Sequence, residues 1–263
     1  TYFPREKFAK RREFGGTCDP DRHDNSWYHF EEAGMSFLIV ALECKPRDEV
    51  LDWANKVVSK HPDHRIIVLT HAYMTASKSR NTGGMKAKGN IGEQIWQKFV
   101  KKHKNIFMVL CGHHAGEAVL TSAGDHGNKV HQVLSDYQHL NNGGESWLRY
   151  MVFKPETNKI SIYTYNPALD KFRNGPSSRF DLDYPMASTP GITRPGAAND
   201  GNKKAEKVGA LQPATAPESP AAESIQDLGA ANGFEKEAIK ALADRVRGHV
   251  NSQPLRFPNQ HWV

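Results

Sequence analysis

The sequence predicts an α/β fold built in layers, a β-sandwich of two sheets face to face with helices outside them. Three observations carry this expectation. Continuous apolar runs at 37–42, 66–69 and 106–110 read as strands buried on both faces. Segments of helical period at 46–60 and 91–103 separate those runs. Short strand-like segments then follow at 117–123, 129–135, 147–153, 159–165 and 178–183, with turn residues between them.

The elements follow in chain order. Residues 1–25 have no period, and Gly15-Gly16, Asp19-Pro20 and scattered charges read as irregular chain. Residues 27–42 read as two strands joined at Ala33-Gly34. In 46–60, Val50, Trp53, Ala54, Val57 and Val58 repeat at helical spacing, and Pro46 suits a first turn. The strand 66–69 ends at Thr70-His71, and 72–90 is a loop rich in Gly, Lys and Ser. Ile91, Ile95, Phe99 and Val100 share the next helical face. The strand 106–110 runs into Cys111-Gly112-His113-His114, and the remaining strands read as a meander. Residues 1–185 thus make one domain. Residues 186–233, rich in Ala, Pro, Gly, Ser and Asn, read as a linker. Residues 234–263 read as a partial segment whose helix, 234–248, cannot bury its Phe234, Ala238, Leu242 and Val246 face alone.

Composition narrows the function classes. With 38% hydrophobic residues in 263, the chain can build a packed core, which excludes wholesale disorder. No apolar run reaches the roughly 18 residues of a membrane helix. Three cysteines are too few and too scattered for a disulfide scaffold or a Cys-based zinc site. The net charge of +6 is concentrated: five basic residues oppose Glu6 in 1–12, and eight oppose Glu93 in 74–104. Such fields gather anionic substrates. No aromatic residues interleave with the lysines, so a nucleic-acid partner is not expected.

Two histidines stand out by position. His71 and His113 each follow a buried strand, and catalytic groups in α/β sheets gather at the carboxyl ends of strands. Neutral imidazole is a common ligand for transition metals. Gly112 removes a side chain where backbone must approach closely. The ordinary reading of a single histidine is a hydrogen-bonded or surface residue. With thirteen in the chain, chance placement competes evenly with metal ligation. His114 reads as a surface or supporting residue.

Leu69-Thr70-His71-Ala72-Tyr73 and Leu110-Cys111-Gly112-His113-His114 resemble the last two metal-binding motifs of the calcineurin-like metallophosphoesterases. Asn25-Ser26-Trp27-Tyr28, Pro46-Arg47-Asp48, Trp53-Ala54-Asn55, Asp136-Tyr137-Gln138, Asn142-Gly143-Gly144 and Trp147-Leu148-Arg149 resemble a bacterial branch of that family. So do the closing strands at Tyr163-Thr164-Tyr165 and Phe180–Tyr184. The match spans roughly residues 1–185. The resemblance implies a dinuclear centre of two divalent ions, or Fe(III) with a divalent ion, drawn from Mn, Fe or Zn. Two such ions clamp a phosphoester substrate and activate a water. It implies His71 and His113 as ligands of one ion. The second histidine of the family motif falls on Ala115, and His114 is one position early.

The family's first three motifs are not found. Asp21-Arg22-His23 lacks a preceding apolar strand, Gly124-Asp125-His126 reads as a turn, and Gly89-Asn90-Ile91 opens a helix. The catalytic residues are therefore unassigned, and the chain reads as the C-terminal portion of a longer enzyme, incomplete at its N-terminus. The strand 37–42 also calls for parallel neighbours on its edges. Lys78, Arg80, Lys86 and Lys88 in the loop after His71 are candidates to attract phosphate, and Tyr73 to pack beside the metal. The expected function is metal-dependent phosphoester hydrolysis. The competing reading is a non-catalytic relative that binds phosphate or a partner. The branch resembled is exported, and the Ala/Pro-rich tail suits an extracytoplasmic linker.

Overall fold

The computed structural model describes residues 4–83 and 88–186. The chain divides into two units. The strands and helices below lie in the first, residues 1–166 and 172–187, save Lys171 at the start of one short strand; of the second, only the turn 167–171 is described.

The elements run α1 (Arg5–Ala9), β1 (Phe14–Thr17), β2 (Ser26–Glu32), β3 (Met35–Ala41), α2 (Asp48–Ser59), β4 (Arg65–Leu69) and α3 (Gly92–Lys98) with a 3₁₀ turn at Val100–Lys102. Then come β5 (Ile106–Cys111), β6 (Gly116–Ala123), β7 (Lys129–Asp136), β8 (Leu148–Lys154), β9 (Lys159–Asn166), β10 (Lys171–Arg173) and β11 (Phe180–Asp183). The class is mixed α/β, with two sheets and few helices, as the three apolar runs predicted.

The larger sheet has seven strands in the order β1-β2-β3-β4-β5-β7-β6. Strands β3, β4, β5 and β7 are mutually parallel, so their carboxyl ends share one rim. Two expectations change here. First, β3 is paired on both edges by strands of this chain: β4 in parallel and β2 antiparallel. Its edge therefore calls for no strand from elsewhere. Second, residues 117–135 do not begin a separate meander. They form a hairpin, β6 and β7, that extends the first sheet, with β7 inserted between β5 and β6.

That insertion shapes the site. The connection 112–115 leaves β5 and enters β6 by stepping over the end of β7. Adjacent strands lie about 4.8 Å apart, so the step spans roughly 10 Å.

Helices α2 and α3 cover one face of the large sheet. Val50, Leu51, Ala54, Val57 and Val58 of α2 pack with Ile95 and Trp96 of α3 and with Leu38, Val40, Ile66 and Val68 beneath them. Asp48 and Glu49 occupy the first turn of α2, where the helix dipole favours negative charge. The helix 91–103 is shorter than expected, because Phe99 leaves helical geometry at φ −137°. The smaller sheet packs on the other face. Phe37, Ile67, Phe107, Met108 and Val133 meet Ile160, Ile162 and Leu182, and Phe107 stacks on Tyr184 at 4.0 Å between ring centres. A short helical turn, Asn141–Gly144, precedes β8 of the small sheet.

Met186, the first residue assigned to the linker, is buried in this inter-sheet core. The rest of the linker 186–233 and the segment 234–263 lie outside the described residues.

Candidate functional site

The parallel registers place chemistry-bearing residues in one row. Ala41 pairs with Leu69, Leu69 with Leu110, and Cys111 with Leu134. Two residues further along each strand stand Glu43, His71, Gly112-His113 and Asp136. The row therefore reads carboxylate, imidazole, imidazole, carboxylate across four neighbouring strand ends.

The structure brings the two imidazoles together. The rings of His71 and His113 stand 4.7 Å apart, centre to centre, tilted by 57°. Backbone contacts fix them. Thr70 N–H donates to the Leu110 carbonyl at 3.0 Å, and Gly112 N–H donates to the His71 carbonyl at 3.0 Å. His114 N–H turns back onto the Gly112 carbonyl at 2.8 Å. His113 takes a left-handed conformation, φ 67°, which costs an L-residue of order 1 kcal/mol and turns the loop sharply over the rim. Gln138 holds that conformation from outside, donating its side-chain N–H to the His113 carbonyl at 3.2 Å.

Electrostatics favour neutral rings at His71 and His114. Partial burial holds His71 below the ordinary histidine range, His113 adds to the lowering, and Asp136 opposes both. His114 follows the same pattern: burial first, then His113, against Asp136. Its ring meets His113 edge-on at 5.0 Å, and its Nε2 is buried without a hydrogen-bond partner.

Asp136 is the residue that sequence reasoning missed. It ends β7 and is 9% exposed, and its Oδ1 accepts the Gln138 N–H at 2.9 Å. Its Oδ2 lies 3.9 Å from where a Cβ on Gly112 would stand, so it faces the loop that carries the histidines. Its strand, Lys129–Asp136, mixes polar and apolar residues, so it lacks the continuous apolar run that marks the ends at His71 and His113. Glu43, at the other end of the row, is turned away to Arg47, with Oε1 accepting from Nε at 3.0 Å.

Three other candidates lie elsewhere. Tyr73 does not pack beside the histidines. It is fully buried in the helix-side core, and its hydroxyl donates to Gln132 at 3.2 Å. Burial pushes its hydroxyl pKa far up, which leaves it a neutral structural donor. Arg80 is not free for phosphate. It pairs with Glu93 at 2.6 Å, donates to Ser122 at 3.1 Å and Gln132 at 3.0 Å, and stacks 4.4 Å over Trp96. Lys78 is exposed at the tip of the loop, at φ 60°. Lys86 lies outside the described residues. The three spellings of upstream motifs are also placed. His23 packs among Phe8, Phe14 and Tyr28 rather than at the histidine pair, Asp125 and His126 form the β6–β7 turn, and Asn90 binds the Pro46 carbonyl.

The donor set fits one transition-metal ion in part. Two imidazoles suit Mn, Fe or Zn. It does not fit a pair of ions. Among the described residues, no group of three or more His, Cys, Asp or Glu side chains is placed to hold a metal. No described helix is long and apolar enough to cross a membrane.

Comparison with known proteins gives two findings. The chain is 30% identical over 175 residues to the uncharacterized protein YvnB of Bacillus subtilis (strain 168); the match covers 63% of this chain and 13% of that protein. A crystal structure from Staphylococcus aureus, named "Putative 5'-Nucleotidase", aligns with 69% of this chain and 33% of its own, at 12% identity and a TM-score of 0.34. At that score the alignment carries no argument about fold or chemistry. No protein-family model matches the chain.

Proposed function

We propose that this chain carries the histidine part of a metal-dependent phosphoester hydrolase of the calcineurin-like type. The observation that supports it is the convergence of His71 and His113, rings 4.7 Å apart, at the carboxyl ends of adjacent parallel strands. Both residues belong to the motifs that resemble the family's. In this reading His71 and His113 hold one divalent ion through ring nitrogens. That ion supplies a Lewis acid for a phosphoryl oxygen and lowers the pKa of a bound water. The chain's own part is to hold both rings fixed. The left-handed turn at His113 and the Gly112–His71 hydrogen bond do this. The second ion and the catalytic base are assigned to none of the described residues.

One observation favours the alternative, a non-catalytic relative that binds phosphate or a partner: the absence, among the described residues, of a three-residue metal group. Metal content and turnover of bis(p-nitrophenyl) phosphate separate the two. The proposal expects the chain to bind Mn²⁺ or Zn²⁺ weakly, with little turnover alone. His71→Ala and His113→Ala should each remove that binding. Unchanged metal content in both variants would leave only the alternative.

A further inference from the structure

The row of strand ends contains a carboxylate that neither the sequence motifs nor the comparisons assign. We infer that Asp136 is a positioning residue for a cation held at the histidine pair, acting by its negative charge across the end of β7. The inference rests on the reading of His71 and His113 as ligands.

The geometry is set by topology. Strand β7 lies between β5 and β6, so the loop 112–115 passes over its end. Asp136 is the last residue of β7 and pairs with Gly116, where that loop re-enters the sheet. Its two oxygens divide their work. Oδ1 accepts the backbone N–H of Gln138, and Gln138 in turn braces the His113 carbonyl. Oδ2 is directed at Gly112, whose missing side chain leaves the carboxylate within 3.9 Å of the Cβ position. No described residue donates a hydrogen bond to Oδ2, and no described arginine or lysine forms an ion pair with Asp136. The carboxylate acts electrostatically on both His71 and His114, so its negative charge would also attract a cation held at the adjacent rim. Asp136 does not itself complete a ligand group, so its action is through the field and through the loop.

Substitution separates charge from hydrogen bond. Asp136→Asn keeps an oxygen for the Gln138 N–H and removes the negative charge. Co²⁺ titration of the whole chain, read by visible absorption and by calorimetry, supplies the affinity without any need for turnover. The inference expects Asp136→Asn to weaken Co²⁺ binding about 10- to 100-fold, the range found for supporting residues at metal sites. The fold, read by circular dichroism, should be retained. Should the Asn variant not fold, Asp136→Ser supplies a smaller neutral acceptor and is read in the same way. Wild-type affinity in a folded variant overturns the inference and leaves the histidine pair intact. A wild-type chain whose Co²⁺ binding equals that of His71→Ala and His113→Ala overturns both.

Discussion

Glu117 and Arg149 form an ion pair at 2.6 Å with side chains only 9% and 7% exposed, and it joins the two sheets. Glu117 comes from β6 of the large sheet and Arg149 from β8 of the small one. The carboxylate also accepts from Tyr137 at 2.7 Å, Thr164 at 2.7 Å and Ser178 at 2.5 Å. Burial alone would raise the Glu117 carboxyl; the donors from Ser178, Thr164 and Tyr137, with Arg149, outweigh it and hold it below the usual range. Tyr137 directly follows Asp136, so the network also anchors the end of β7.

Removing one partner leaves the other charge buried. Arg149→Met should therefore cost about 3–5 kcal/mol in urea unfolding. The double variant Glu117→Gln, Arg149→Met should recover much of that loss. A single variant at wild-type stability would mean that the pair is open to water.

Stability should fall on mild acidification. Burial holds both His131 and His103 below the ordinary histidine range. The His131 Nε2 meets the Asp183 carbonyl at 3.1 Å and so carries the proton, while Nδ1 accepts from Thr121 at 2.8 Å. These rings fold neutral, whereas the unfolded chain takes up protons near pH 6.5. Below that pH the unfolded state binds more protons, so stability rises with pH. The contribution is complete above about pH 6.5 and is lost as pH falls toward the lowered folded values. Urea midpoints at pH 7.5, 6.5 and 5.5 should drop in that order, and less steeply in His131→Gln. A flat profile would contradict the buried neutral rings.

Arg80 should matter to folding and not to anion binding. Losing its contacts to Glu93, Ser122, Gln132 and Trp96 in Arg80→Ala should cost about 1–3 kcal/mol. Lys78→Ala, at an exposed tip, should stay within about 0.5 kcal/mol of wild type. Thermal midpoints of the two variants test the contrast, and equal values would overturn it.

Gly89 should not accept a side chain. Its φ is +126°, and an added Cβ would stand 1.9 Å from the Lys45 carbonyl oxygen. Gly89→Ala should destabilise by at least about 2 kcal/mol, with the loss read in urea unfolding. Gly34→Ala has open space around it and should cost less, through its φ of +73° alone.

The strands were legible where burial writes itself into composition, as in Phe37–Leu42 and Ile106–Leu110. The β1–β2 pairing was not. Its Gly15-Gly16 looks like loop, yet the glycines are there because Trp27 lies on them: a Cβ on Gly15 would stand 2.3 Å from the indole. The insertion of β7 was equally silent, because a hairpin has the same alternation in whichever sheet it sits. Reading 129–135 as meander removed its end from the rim, and Asp136 was lost with it. His71 and His113 were visible because each follows an unmistakable buried strand. Arg80 was misread because charge alone does not reveal Glu93 and Trp96 as its partners.

The central claim is that His71 and His113 together hold a divalent ion. Mn²⁺ broadens the proton resonances of imidazoles that it approaches, and the chain has thirteen histidines to report. Substoichiometric Mn²⁺ should broaden His71 and His113 first, with assignments made from His71→Ala and His113→Ala. Both signals should stay sharp in a chain lacking the other ring. A second close pair provides the control: His61 and His64 stand 5.0 Å apart, far from the rim that carries His71, near the opposite ends of the strands. First broadening at His61 and His64, with His71 and His113 unaffected, would contradict the account.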